Sequence, residues 1–211
     1  MNRDAPAKTI VFDFAGVLFR WHPPAMIRRE LPQLAPDEAR AAHWAREIFQ
    51  GYEGDWLDFD RGLLERPEVI ERIVRRTGLP PADVQRVVDA VPHELQPIPE
   101  TVALLRRLRD AGRQLFFLSN MPAPYAEHLE REHAFVRWFE GGVFSGRVRE
   151  AKPDAAIFHL AAEQFGRPPS ELVFLDDVPA NVGAARALGW NALHFVDAAQ
   201  AETELRERGW M

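Results

Sequence analysis

Short apolar runs rich in β-branched and aromatic residues alternate along this chain with longer stretches whose apolar positions recur at helical spacing. "KTIVFDF" (8–14), "QLFFLSN" (114–120), "ELVFLDD" (171–177) and "NALHFVD" (191–197) are each brief and bounded by polar residues. Runs of this kind predict strands covered on both faces, as in a parallel sheet. "PETVALLRRLRDAGR" (99–113) sets Val102, Leu105 and Leu108 three apart and closes on Gly112, which predicts a helix with its stop signal. "KPDAAIFHLAAEQFG" (152–166) and "PANVGAARALG" (179–189) follow the same rule, with Pro near the start and Gly at the end. Strand and helix in alternation predict an α/β fold built on a doubly wound, Rossmann-like parallel sheet.

One interval interrupts the alternation. From about Phe19 to Pro97 no buried strand is evident, and "PDEARAAHWAREIFQ" (36–50), "RPEVIERIVRRTG" (66–78) and "PPADVQRVVDAV" (80–91) read as helices. The expected organisation is therefore an α/β core over 1–19 and 97–211, with a small all-helical cap over 20–96 inserted after the first strand.

Composition narrows the function. The chain has 211 residues, 46% hydrophobic and 27% charged, as expected of an ordinary globular protein. A formal net charge of −6 argues against a nucleic-acid partner, because phosphate backbones are bound by basic surfaces. Cysteine is absent, which removes thiolate metal sites and thiol catalysis. No segment approaches the ~18 apolar residues of a membrane span, and "MNRDAPAKTIVF" has no apolar run typical of a signal peptide, so a cytoplasmic address is the default expectation. Lysine is scarce: Lys8 and Lys152 are the two among 26 basic residues, so each merits attention.

Ligands of open parallel sheets bind at the carboxyl ends of the strands. Three predicted strands end in polar groups: Asp13, the pair Ser119 and Asn120, and the pair Asp176 and Asp177. Lys152 stands at a predicted helix start, directly before Pro153. Taken singly, each is an ordinary turn former, cap or surface group. Together, at one edge of one sheet, they define a single candidate site.

These motifs, in this order, resemble those of the haloacid dehalogenase-like hydrolase superfamily over nearly the whole chain. The resemblance makes Asp13 in "DFAGVL" the nucleophile, Ser119 in "FLSN" a phosphoryl-oxygen ligand, and Lys152 in "AKPD" the lysine of the third motif. It makes Asp176 and Asp177 in "FLDDVPAN" an acidic pair that holds Mg²⁺, supported by Asn181, with Asn120 beside the phosphate. The helical interval resembles the family's cap. "YEGDW" (52–56) resembles its substrate-contacting loop, with Trp56 the leading candidate for a pocket residue. The implied chemistry is physically coherent. A carboxylate attacking a phosphoryl group needs a divalent cation to suppress repulsion, Mg²⁺ is suited to a few carboxylate oxygens, and Lys152 offsets the clustered negative charge. The implied partner is a small phosphorylated metabolite; monomer and oligomer are not distinguished.

Ala15 departs from the pattern. The common phosphatases of the superfamily carry a second Asp two residues after the nucleophile, which protonates the leaving oxygen and activates water. Alanine does neither, although the resemblance implies that its backbone carbonyl serves as a metal ligand, since family members use the backbone carbonyl at this position. General acid–base catalysis is worth ~10²–10⁴-fold, so the missing acid corresponds to roughly 3–5 kcal/mol of barrier. A 2-haloacid dehalogenase needs no such acid, but its metal-free branch lacks the acidic pair. A phosphonoacetaldehyde hydrolase needs a cap lysine, and none lies between Lys8 and Lys152. The favoured branch resembles sugar-1-phosphate phosphatases, whose leaving group needs less protonation, with His22 a candidate substitute acid at the entry to the cap. The alternative is a non-catalytic protein that binds a phosphorylated ligand or a protein partner.

Overall fold

The computed structural model describes residues 8–51 and 53–211. Residues 1–7 of the expected core and Tyr52 of the candidate loop lie outside the described residues. Five parallel strands form one sheet: β1 (Thr9–Phe12), β2 (Leu115–Ser119), β3 (Gly141–Phe144), β4 (Leu172–Asp176) and β5 (Asn191–His194), in the order β3-β2-β1-β4-β5. Every residue of β1, β2 and β4 is buried, as their unbroken apolar character requires when helices cover both faces. The two clusters of buried side chains lie on opposite faces: Ile10 and Phe12 point into one, Val11 into the other, following the period of two along a strand.

The four strands anticipated from the pattern are present. β3 is an addition: "GGVF" is short and begins with two glycines, so it carries no periodic signal. A side chain at Gly142 would lie 2.3 Å from the Phe117 ring, which is why the strand can be this close only without one.

After β1 the chain makes a tight turn. The Phe14 carbonyl accepts from the N–H groups of Val17, Leu18 and Phe19, and the Gly16 N–H donates to Phe19 O. Five helices follow: α1 (Pro23–Glu30), α2 (Glu38–Phe49), α3 (Gly54–Asp60), α4 (Arg66–Thr77) and α5 (Pro81–Glu94). Local sequence explains several of their ends. Asp37 Oδ1 caps α2 by accepting from the Arg40 N–H at 2.8 Å, Glu65 and Glu68 form a capping box on α4, and Gly78 closes α4 at φ 71°. Outgoing and returning chains meet where Arg20 N–H donates to Gln96 O and Ile98 N–H donates to Leu18 O, both at 2.8 Å.

The core then continues with α6 (Pro99–Asp110), α7 (Ala123–Glu132), the single turn α8 (Ser145–Val148), α9 (Ala155–Phe165), α10 (Pro179–Ala187) and α11 (Ala198–Glu207). α9 begins at Ala155, so Lys152 belongs to the loop ahead of the helix rather than to its first turn. Among the described residues, no helix is long and apolar enough to cross a membrane.

Candidate active site

β1 lies between β2 and β4, and strand register decides what stands at its end. Phe12 pairs with Phe117 on one side and Leu175 on the other, so Asp13, Ser119 and Asp176 emerge together at the carboxyl edge. The Asp13 N–H continues the ladder by donating to Leu175 O at 2.9 Å.

Lys152 is the hub. Its Nζ lies 2.9 Å from Asp13 Oδ1 and 2.7 Å from Asp176 Oδ2, with the side chain 1% exposed. Asn120 holds the lysine in place. Its amide group donates to the Lys152 carbonyl and accepts from the Lys152 N–H, each at 2.9 Å. Both ends of that amide are thus engaged by backbone, and Asn120 serves the site through Lys152.

The carboxylates differ in how they are held. Asp13 Oδ1 accepts from the Phe14 N–H at 2.7 Å and from Lys152, whereas Oδ2 accepts no hydrogen bond from the described residues. Asp176 is fully engaged: Oδ1 accepts from the Val178 N–H and from Asn181 Nδ2, and Oδ2 accepts from Lys152 Nζ and Asn181 Nδ2. Asp177 keeps a buried Oδ1 with no partner, and Ser119 keeps a buried Oγ with none. Buried polar atoms are nearly always paired, so two orphans at one strand edge mark places for a ligand.

Burial pushes the Asp13 carboxyl up to about 7, the lowering effect of Lys152 being outweighed with help from Asp176 and Asp177. Asp177 is also pushed up, by burial and then by Asp176. Burial opposes the charge on Lys152, but Asp13 and Asp176 together hold it above its ordinary value. Ligand atoms of Asp13, Asp176 and Asp177 lie within 4.8 Å of one another. One ammonium against three carboxylates leaves an excess of negative charge, and hard oxygen donors at this spacing, one of them unpaired, suit a divalent cation. The Ala15 carbonyl also accepts no bond from the described residues.

Gly16 allows the turn after β1 to pass against this cluster. It has φ 81°, and a Cβ there would lie 2.3 Å from Asp177 Oδ2.

A cavity of about 350 Å³ opens over the strand ends. Asp13, Ala15, Asn120, Lys152, Asp177 and Asn181 form its floor. Trp21, Trp56, Leu57, Val91, Leu95 and Tyr125 form much of its wall, and the first five come from the helical interval. Trp56 is 3% exposed and packs edge-on against Phe49 with ring centres 4.5 Å apart. His22 does not line this cavity. Its Nδ1 accepts from the Ala25 N–H at 3.1 Å and caps α1, so the geometry makes it a helix cap rather than a substitute acid.

Asp60, which no motif singles out, lies in the cavity wall at the end of α3. It is 6% exposed, and burial pushes its carboxyl up to about 8, with Lys152 lowering and Asp13 raising it. The signal in the sequence is faint: one acid in "GDWLDFD" at a position facing the apolar side of a short helix.

A parallel α/β sheet with acids and a buried lysine at the ends of its central strands, roofed by helices, defines a hydrolase of the strand-end carboxylate kind. The chain belongs to the haloacid dehalogenase-like hydrolase family, whose model matches residues 7–189. It is 28% identical over 200 residues to the sesquiterpene phosphatase astK of Aspergillus oryzae, covering 95% of each chain. A HAD-like hydrolase from Porphyromonas gingivalis superposes with a TM-score of 0.71 at 25% identity, covering 96% of this chain and 98% of that one. The HAD family enzyme bt-2542 from Bacteroides thetaiotaomicron, solved with magnesium and inorganic phosphate, shares the fold with a TM-score of 0.70 at 24% identity, over 89% of this chain and 93% of its own.

Proposed function

We propose that the protein is a Mg²⁺-dependent phosphatase that moves the phosphoryl group of a small phosphorylated metabolite to Asp13 and then to water. The observation that carries this reading is the state of Asp13: Oδ1 is held by the Phe14 N–H and Lys152, while Oδ2 accepts no hydrogen bond from the described residues, and Ser119 at the end of the neighbouring strand keeps an unpaired Oγ. A nucleophile is oriented in this way by tying one oxygen and leaving the other open. Ser119 Oγ and Lys152 Nζ would take phosphoryl oxygens, and Asn120 would position Lys152. Asp13, Asp176, Asp177 and the Ala15 carbonyl would hold Mg²⁺, with Asn181 orienting Asp176. When bound, the cation offsets the charge of the phosphoryl oxygens against the surrounding carboxylates.

Residues 20–96 act, on this reading, as a cap over a core formed by 1–19 and 97–211, closing the cavity so that water is excluded during transfer. The wall residues support an apolar organic group on the phosphate, in preference to the sugar phosphate that Ala15 suggests by itself. The relative named a sesquiterpene phosphatase points in the same direction.

The test is phosphate release from an isoprenoid monophosphate, a hexose 1-phosphate, an acyl phosphate and an aryl phosphate, with and without Mg²⁺, beside Asp13→Asn. Turnover of the isoprenoid ester that needs Mg²⁺ and vanishes in Asp13→Asn is expected. Saturable binding of these esters with no phosphate release from any would overturn the reading in favour of a binding protein.

A further inference from the structure

An aliphatic alcohol is a poor leaving group, and an apolar cavity wall therefore sharpens the question that Ala15 raises. Ala15 lines the cavity and carries no acid, so the alkoxide would depart unprotonated. Resting on the phosphatase reading above, we propose that Asp60 supplies this proton to the leaving oxygen and later takes one from the attacking water, the role that Ala15 cannot fill.

Three observations support the assignment. Asp60 lines the same cavity as Asp13, Ala15, Lys152 and Asp177. Its residue is 6% exposed, yet its carboxyl takes part in no hydrogen bond or ion pair with the described residues. A buried carboxyl kept for structure is normally bonded, so one left open to a cavity is available to a ligand. Its backbone, by contrast, is clamped to the core. Ser145 Oγ donates to the Asp60 carbonyl and accepts from the Met121 N–H. Arg61 pairs with Asp154, and Gly62 lies so close to Gly146 that a Cβ there would be 2.5 Å from its carbonyl oxygen. A rigid mount carrying a free carboxyl is what positioned proton transfer requires.

The groups facing it are Lys152 and Asp13 from the core, with Tyr125 in the same wall. The Tyr125 hydroxyl donates to Val88 O at 2.8 Å and is committed there. Burial keeps the Asp60 proton in place near neutrality, which is the form a general acid needs.

The step balances. Asp13 Oδ2 forms a bond to phosphorus as the bond from phosphorus to the alkyl oxygen breaks, and that oxygen takes the Asp60 proton. Asp60, now a carboxylate, removes a proton from water as the water oxygen bonds to phosphorus and the bond to Asp13 breaks. Alcohol and inorganic phosphate leave, and both carboxyl groups regain their starting forms.

The experiment compares wild type and Asp60→Asn on an alkyl phosphate and on p-nitrophenyl phosphate, whose leaving group needs no proton, in single-turnover and burst formats. Asp60→Asn is expected to slow alcohol release about 100-fold or more, within the range for a lost general acid. It should also give a stoichiometric nitrophenolate burst followed by slow turnover and a persistent phosphoenzyme. Equal slowing of both substrates in the burst phase, or no slowing of either, overturns the assignment while leaving the phosphatase reading intact. A second measurement needs no variant: across phosphates of graded leaving-group pKa, wild-type phosphoenzyme formation should be nearly flat, and a steep dependence overturns the assignment. Absence of turnover on every substrate, in wild type as in Asp13→Asn, overturns the phosphatase reading and this assignment with it.

Discussion

Replacing Lys152 by Met tests how the strand-end cluster is held together. The lysine side chain is 1% exposed and bridges Asp13 and Asp176 at 2.9 and 2.7 Å. Methionine keeps much of the stem but leaves the carboxylates facing one another without a cation. Removing one partner of a buried ion pair costs about 3–5 kcal/mol, because the other charge stays buried. With a urea m-value of about 3 kcal/mol/M for a chain of this size, the midpoint should fall by about 1–1.7 M in EDTA at pH 7.5. The pH dependence has a definite sign. Asp13, already pushed up to about 7, rises further without Lys152, so the folded protein keeps protons that the unfolded chain releases above about pH 4. Stability therefore falls in both proteins as pH rises from about 4, and the gap to wild type widens above about pH 7, where the wild-type carboxyl gives up its proton and the variant's does not. Lys152 itself, raised above its ordinary value, contributes in full throughout that window. Mg²⁺ should recover more stability in the variant than it adds to wild type. A midpoint shift below about 0.3 M, or a shift unchanged from pH 5 to 8, would refute the electrostatic account.

Three further outcomes are expected. Gly16→Ala places a methyl group against Asp177 and strains φ 81°, so it should cost about 1–3 kcal/mol and abolish Mg²⁺-dependent turnover, as read by melting and phosphate release. Asp60→Asn removes a carboxyl whose folded value, about 8, lies above its unfolded one; wild-type stability is lost as pH rises between about 4 and 8, so the variant should gain on wild type by about 1–3 kcal/mol at pH 8 in EDTA, with no gain at pH 4. Trp56→Ala takes a ring from between Phe49 and Phe59 and should cost about 3–5 kcal/mol, lowering Tm by about 10 °C, and should raise KM for an apolar phosphate ester while leaving inorganic phosphate binding unchanged.

Much of this molecule is legible along the chain because its signals are local. Unbroken apolar runs mark β1, β2, β4 and β5, and polar groups at their ends are placed by strand register, so the grouping of Asp13, Ser119 and Asp176 is legible in the chain. Helices with strong apolar spacing, such as α4 and α6, are equally plain. What escapes is whatever depends on distant partners. β3 is short and glycine-led, and forms because β2 offers it a ladder. α1 and α3 are only eight and seven residues long and are stabilised by what they pack against. Asn120 resembles a phosphate contact in sequence, but its amide is taken by the Lys152 backbone 32 residues away. His22 borders the cap entry in sequence and caps a helix in space. Asp60 is the sharpest instance: its place on the apolar side of a seven-residue helix is all that distinguishes it in the chain from a solvated acid. Chain order and a period of two along each strand are enough to say which carboxylates stand at the strand ends. Long-range packing is what clamps α3 through Ser145 and Gly146 and buries Asp60 in the lining of the cavity that Asp13 also lines.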